Sequence, residues 1–249
     1  MHINLLHIGR VPYGEALAIQ QQVIAARKQN LIADTLLLLE HLPVLTLGRN
    51  SVRSNVIASD EFLAQRGIEL HEINRGGDVT YHGPGQLVGY PIIDLRGDLP
   101  GKKGPHLGPV DYVRMLEEVL IRVCGDFAVM AQRISKRTGV WTIAGGSILE
   151  KKIAAIGVHV SQGITSHGFA LNVTTDLRDF EWIVPCGITD RDVTSLELEA
   201  RPTDDPLRQP TMENAINSTA RNFGRLFERQ IVASGSLDEL LAAADRRAV

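Results

Sequence analysis

Three stretches of the sequence carry side chains able to do chemistry. Arg75-Gly76-Gly77-Asp78-Val79-Thr80-Tyr81-His82, running on through Gly83-Pro84-Gly85-Gln86, interleaves glycines with a cation, a carboxylate, two hydroxyls and an imidazole. Glycine lets backbone amides approach and face a ligand, and loops that mix it with reactive side chains often hold sites. The same composition also serves a turn-rich hairpin whose glycines only satisfy tight geometry. Lys152 opens Lys152-Ile153-Ala154-Ala155-Ile156-Gly157, a run of strand character where a lysine is commonly just solvated. Cys186 stands between Pro185 and Gly187, after an expected short helix. A thiol in such a loop is a candidate nucleophile, although a lone cysteine is more often a small buried hydrophobe. Cys124, one residue past Val123 at the end of an amphipathic helix, reads as core. His82 and His167 each fit either a base or a hydrogen-bonded structural residue, and the structural reading is favoured for His167.

The elements that must position these groups are legible from periodicity. Strands are expected near Ile3 to Ile8, Thr35 to Leu39, Pro43 to Gly48, Glu69 to Glu72, Leu87 to Leu95, Val140 to Ile143, Ile153 to Val160 and Ser166 to Val173. The Thr35 to Leu39 run is apolar throughout and fits a strand covered on both faces. The last two strands flank Gln162-Gly163 and predict an antiparallel hairpin. Helices are expected over Tyr13 to Lys28, with Ala16, Ile19, Val23 and Ile24 on one face, and over Asp111 to Val123, with Leu116, Val119, Leu120 and Val123 at helical spacing. Shorter helices are expected over Asp60 to Gln65 and Leu177 to Ile183, then Met212 to Glu228 and Leu237 to Ala244 with Ser236 as N-cap. Pro202, Pro206 and Pro210 mark a linker before the last two. The fold class is α+β (mixed α/β), with strands in hairpins rather than in regular βα alternation, which disfavours a doubly wound dinucleotide fold.

Composition narrows the function classes. At 249 residues, with 44% hydrophobic and 22% charged residues, the chain can build its own core and is not a disordered segment. Its net charge is −3, which argues against broad nucleic-acid binding. No apolar run approaches a membrane span, and Met1-His2-Ile3-Asn4 lacks the features of a secretory signal. Free thiols in a reducing cytoplasm are therefore expected. Two cysteines without CxxC spacing, and histidines without HExxH spacing, predict no metal site. Neither GxGxxG opening a helix nor GxxxxGK[ST] is present, and no cofactor is expected.

Read in order, His41 to Arg49, Arg75 to Gln86, Thr138-Gly139-Val140-Trp141, Lys152 to Val158, His167 to Val173 and Val184 to Ile188 closely resemble the octanoyl-[acyl-carrier-protein]:protein N-octanoyltransferases, the lipoate-protein ligase B family. The resemblance covers most of residues 1–200. It implies one catalytic domain with a biotin/lipoate protein ligase-like fold in which helices pack on a mixed sheet; the domain is taken over residues 1–249, with a C-terminal helical segment at 210–249 read from residue pattern. It implies transfer of an octanoyl group from octanoyl-acyl carrier protein to a lysine of lipoyl domains, those of 2-oxoacid dehydrogenase complexes and the glycine cleavage H protein. It maps a thioester-forming cysteine onto Cys186 and an assisting lysine onto Lys152. It maps substrate binding onto Arg75, Gly76, Gly77, Asp78, Val79, Thr80, Tyr81, His82, onto Ala155, Ile156, Gly157, and onto Gly168, Phe169, Ala170. An acyl slot beside Val79, Ile156 and Phe169 is expected. An ATP-dependent ligase, an amidotransferase between lipoyl proteins and a non-catalytic acyl-binding module are the alternatives.

Overall fold

The computed structural model describes residues 2–100, 106–143, 149–184 and 192–245. An eight-stranded mixed sheet holds, in spatial order, β11 (Gln230–Ala233), β1 (His2–Val11), β2 (Thr35–His41), β6 (Gln86–Ile92), β10 (Ile164–Asn172), β9 (Lys152–Ser161), β8 (Arg137–Thr142) and β7 (Ala131–Ile134). A second sheet of three strands has β3 (Val44–Leu47) between β4 (Glu69–Glu72) and β5 (Thr80–His82).

Side-chain alternation in β2 explains why its leucines are continuous. Leu36 and Leu38 enter the core on one face, and Leu37 and Leu39 enter the core on the other. All four are fully buried, as expected for a strand covered on both sides. One face is covered by α1 (Tyr13–Lys28), which buries Tyr13, Ala16, Gln20, Val23 and Ala26. The expected stripe is therefore shifted: Ala16 and Val23 are inside, whereas Ile19 and Ile24 flank the core. The opposite face is covered by α3 (Pro109–Asp126) and α5 (Met212–Phe227). The former buries the expected Leu116, Val119, Leu120 and Val123. The latter starts on a Thr211 cap and stacks Phe223 on Phe227 at 4.1 Å between ring centroids.

Buried Glu117 of α3 pairs with Arg114 at 2.6 Å and Arg133 at 3.2 Å. It also accepts the backbone N–H of Gly139 at 3.2 Å, tying the β7–β8 hairpin to the helix. The β9–β10 hairpin forms as expected, with Ser161 opposite Ile164. Gln162 and Gly163 both have positive φ, as the tight two-residue turn requires.

The small sheet packs over its own core of Leu45, Leu63, Val79, Tyr81 and Phe180, with α2 (Asp60–Gln65) against it. Among the described residues, β5, β7, β11, α4 (Leu196–Glu199) and a 3-10 turn over Arg53–Asn55 lie outside the sequence expectations. The expected helix at Leu177 to Ile183 is a 3-10 turn over Leu177–Trp182. Among the described residues no helix is long and apolar enough to cross a membrane.

Candidate active site

A cavity of about 570 Å³ opens where the β9–β10 hairpin of the large sheet faces the segment between β4 and β5. That volume is in the usual range for a small-molecule site. Its floor is made of small residues: Ala155 pairs with Ala170, and Gly157 with Gly168, on neighbouring strands. Ile156 and Phe169 also line it.

The glycines let the opposite wall come close. Gly76 donates its N–H to the carbonyl of Val158 at 3.0 Å. A Cβ on Gly157 would stand 2.8 Å from the carbonyl oxygen of Gly76, so only glycine permits this docking. Arg75 is thereby pressed into the interior. Its guanidinium donates to the carbonyl and hydroxyl oxygens of Thr46 at 2.7 and 2.9 Å, and to the Gly76 carbonyl at 3.1 Å.

Strand alternation divides the rest of the glycine-rich segment. Arg75, Gly77, Asp78, Thr80 and His82 line the cavity. Gly76 serves the backbone contact, and Val79 and Tyr81 turn into the core of the small sheet. The Tyr81 hydroxyl donates to Asp179, and its ring meets Phe180 and Trp182 edge-on. Val79 therefore stands away from the slot expected beside it, while Ile156 and Phe169 face the cavity. Asp78 accepts the Asn55 side-chain amide at 2.6 Å.

Lys152, at the start of β9, is buried rather than solvated. Its Nζ lies 4.8 Å from the centroid of the Trp141 ring. Its N–H and carbonyl are both bonded by the segment after residue 191: Lys152 N–H donates to Asp192, and Thr194 N–H to Lys152, each at 2.9 Å. Cys186 lies outside the described residues. Val184, two positions before it, donates its N–H to Asn55 at 2.7 Å. Asn55 thus joins the Asp78 wall to the segment that leads to Cys186.

Sequence reasoning did not assemble a buried cluster from distant segments. His41 meets the Tyr90 hydroxyl through Nε2 at 2.7 Å, and Tyr13 packs its ring on His41. His167 meets the Asn74 side chain at 2.7 Å and lines the cavity with Tyr13, Tyr90 and His82. Burial pushes His41 and His167 down to about 4 and His82 to about 3, and raises Tyr13 to about 12. At neutral pH these rings are uncharged hydrogen-bonding groups around Arg75. Cys124 is fully buried on α3, and burial pushes its thiol up to about 12, so it is an inert core residue. Among the described residues no group of three His, Cys, Asp or Glu side chains is placed to hold a metal ion.

The comparisons with known proteins converge on one family. Residues 12–224 match the family described as Lipoyl protein ligase A/B catalytic domain. The chain is 64% identical to the octanoyltransferase of Acidobacterium capsulatum over 97% of its own length and 96% of that protein's. It is 51% identical to the octanoyltransferase of Koribacter versatilis, covering 96% and 90% of the two chains. Its fold superposes, with a TM-score of 0.71 at 15% identity, on a bi-partite lipoate protein ligase from Thermoplasma acidophilum solved with its E2 lipoyl domain, over 99% of this chain and 91% of that one. A lipoate-protein ligase A bound with ATP gives 0.70 at 16% identity, covering 99% and 94%. The expected ligase-like fold, helices packed on a mixed sheet, is thus the fold observed. From this match in sequence and architecture, the chain belongs to the lipoyl protein ligase A/B catalytic family and, within it, to the octanoyltransferases, acyltransferases that act in protein lipoylation.

Proposed function

We propose that the octanoyl donor is octanoyl-acyl carrier protein, that the group passes through a thioester on Cys186, and that the acceptors are lysines of lipoyl domains in 2-oxoacid dehydrogenase complexes and the glycine cleavage H protein. The observation that carries this reading is the placement of Lys152. It is buried, borders the cavity, and is bonded through its backbone to Asp192 and Thr194, just beyond the segment that bears Cys186. A basic side chain beside a thiol favours the thiolate, the reactive form.

The Cys186 thiolate attacks the thioester carbonyl. The new C–S bond forms as the carrier's C–S bond breaks, and the carrier thiolate leaves with the proton of the Lys152 ammonium, which becomes the neutral amine. Exchange between thioesters is near balance and needs no other energy source. The acceptor amine then attacks the acyl-enzyme. The C–N bond forms, the C–S bond to Cys186 breaks, and the amine's surplus proton passes to Lys152, balancing the one taken by the carrier. The Ala155, Ala170, Gly157 and Gly168 floor offers the acyl chain an apolar bed, where each buried methylene contributes about 0.8 kcal/mol. All elements serve one catalytic domain, working in the reducing cytoplasm where a catalytic thiol stays free.

The test is incubation with octanoyl-acyl carrier protein and no acceptor. One octanoyl group should add to the protein, map to the Cys186 peptide and be released by hydroxylamine. Cys186→Ala should abolish it. An adduct on Lys152, or none at all, sinks the covalent cysteine mechanism.

A further inference from the structure

The turn at Gly83-Pro84-Gly85 folds His82 back onto Gln86. The imidazole Nδ1 lies 2.6 Å from Gln86 Oε1. The orientation of that amide is fixed by what surrounds it. Gln86 Nε2 donates to the backbone carbonyl of Tyr81 at 3.2 Å and to Asn172 Oδ1 at 2.9 Å. Asn172, opposite Gln86 across β6 and β10, donates its own Nδ2 to the carbonyl of Thr194 at 2.9 Å.

Backbone carbonyls only accept. The carbonyl of Thr194 therefore orients Asn172, and Asn172 with the carbonyl of Tyr81 orients Gln86. The only atom Gln86 has left for the histidine is an acceptor, so Nδ1 must carry the hydrogen. All five residues are buried, where a mismatched partner would cost about 1–3 kcal/mol. His82 lines the cavity, and among the described residues its Nε2 has no hydrogen-bond partner.

We propose that Gln86 is a positioning residue that holds His82 as the Nδ1-protonated neutral tautomer, so that Nε2 offers a lone pair to the cavity and accepts a hydrogen bond from an N–H of the attacking acceptor amine. This rests on the octanoyl-transfer reading above. His82 orients the amine and takes no proton from it. The depressed proton affinity of the buried ring, near 3, agrees with that role. Thr194 also donates to the carbonyl of Lys152 at 2.9 Å, so one buried network sets both His82 and the strand that carries Lys152.

The experiment uses the full chain with ¹⁵N-labelled imidazoles. Two-bond ¹H–¹⁵N correlations, assigned by loss of the signal in His82→Asn, should show His82 protonated on Nδ1 and neutral from about pH 5 to about pH 8. In Gln86→Leu the tautomers should mix. Amide formation from the octanoylated enzyme should then fall about 10²-fold, while the first acylation step stays within about threefold. An Nε2-protonated ring or an imidazolium in the unmodified protein overturns the proposal, and needs no variant to fold. Unchanged amide formation in a folded Gln86→Leu protein overturns it as well. Absence of any Cys186 adduct would instead remove the covalent reading and leave the tautomer result standing.

Discussion

Lys152 and Trp141 are cross-strand neighbours on β9 and β8, and the lysine Nζ lies 4.8 Å from the centre of the indole ring. Both are buried. An indole face is the best aromatic partner for a cationic side chain, worth about 0.5–2 kcal/mol. The pair aims a flexible four-carbon stem at one place on the cavity wall.

Lys152→Ala is expected to lower octanoyl transfer by about 10²-fold to 10⁴-fold, because in the proposed mechanism Lys152 handles the proton. Iodoacetamide alkylation of Cys186 should shift to higher pH in the same variant. Lys151, half-buried, serves the fold through its backbone, accepting from Thr142 N–H and donating to the Thr142 hydroxyl. Lys151→Ala should therefore leave both measurements unchanged. The reverse pattern would put the family register off by one.

Ala155→Leu should shorten the preferred acyl chain. Ala155 is half-buried on the cavity floor, so a larger side chain there projects into the cavity proposed to hold the acyl chain. Each methylene left without room costs about 0.8 kcal/mol, about fourfold in affinity. Comparing kcat/KM for octanoyl and hexanoyl carriers reads this directly. An unchanged ratio would mean that the acyl chain lies elsewhere.

Cys124→Ala should keep transfer activity and cost about 1 kcal/mol of stability. The native Cys124 thiol, pushed up to about 12 by burial, should resist alkylation until the protein unfolds. Loss of turnover in a folded Cys124→Ala protein would show a second catalytic thiol.

Stability should fall as pH drops below about 6.5. His41, His82 and His167 are held neutral in the folded state, down to about 4, 3 and 4 respectively. In the unfolded chain each binds a proton near about 6.5. Between these values the unfolded state carries more protons, so each ring contributes a loss of up to about 1.4 kcal/mol per pH unit on acidification. Above about pH 6.5 these three groups should have no effect. Urea midpoints between pH 7 and pH 5 measure the slope before most carboxylates titrate, and His41→Gln should flatten it. A flat profile in the unmodified protein would contradict the burial argument.

Adding ATP and magnesium should not change the rate with a thioester donor, since that donor is already activated. Strict dependence on ATP would place the chemistry with the ligases.

Much of this architecture is readable from residue order. The leucines of β2, the helical stripe of α3 and the Gln162-Gly163 turn each state their structure locally. β5, β7 and β11 do not: they span three or four residues, too few to show a period, and β5 and β11 pair with strands far away in the chain. The glycine-rich segment is legible from its composition, and the substrate-binding triplets of β9 and β10 only through the family resemblance. The division of that segment into cavity and core was not, because it needs the strand Thr80–His82, too short to show a period. The Tyr13, His41, Tyr90 and His167 cluster was also hidden. Its members come from separate elements, and no spacing links them.

The pairing of β11 with β1 also bears on how the protein is made. It joins His2 through Leu5 to Gln230 through Ala233, more than two hundred positions later. At about 5–20 residues per second, ribosomal synthesis leaves that flank of β1 without its final neighbour for tens of seconds. An uncovered strand flank is a template for wrong pairing between chains. The final strand thus acts as a closing seal on the nascent sheet, and the interval before it arrives is when the chain most needs shielding by chaperones.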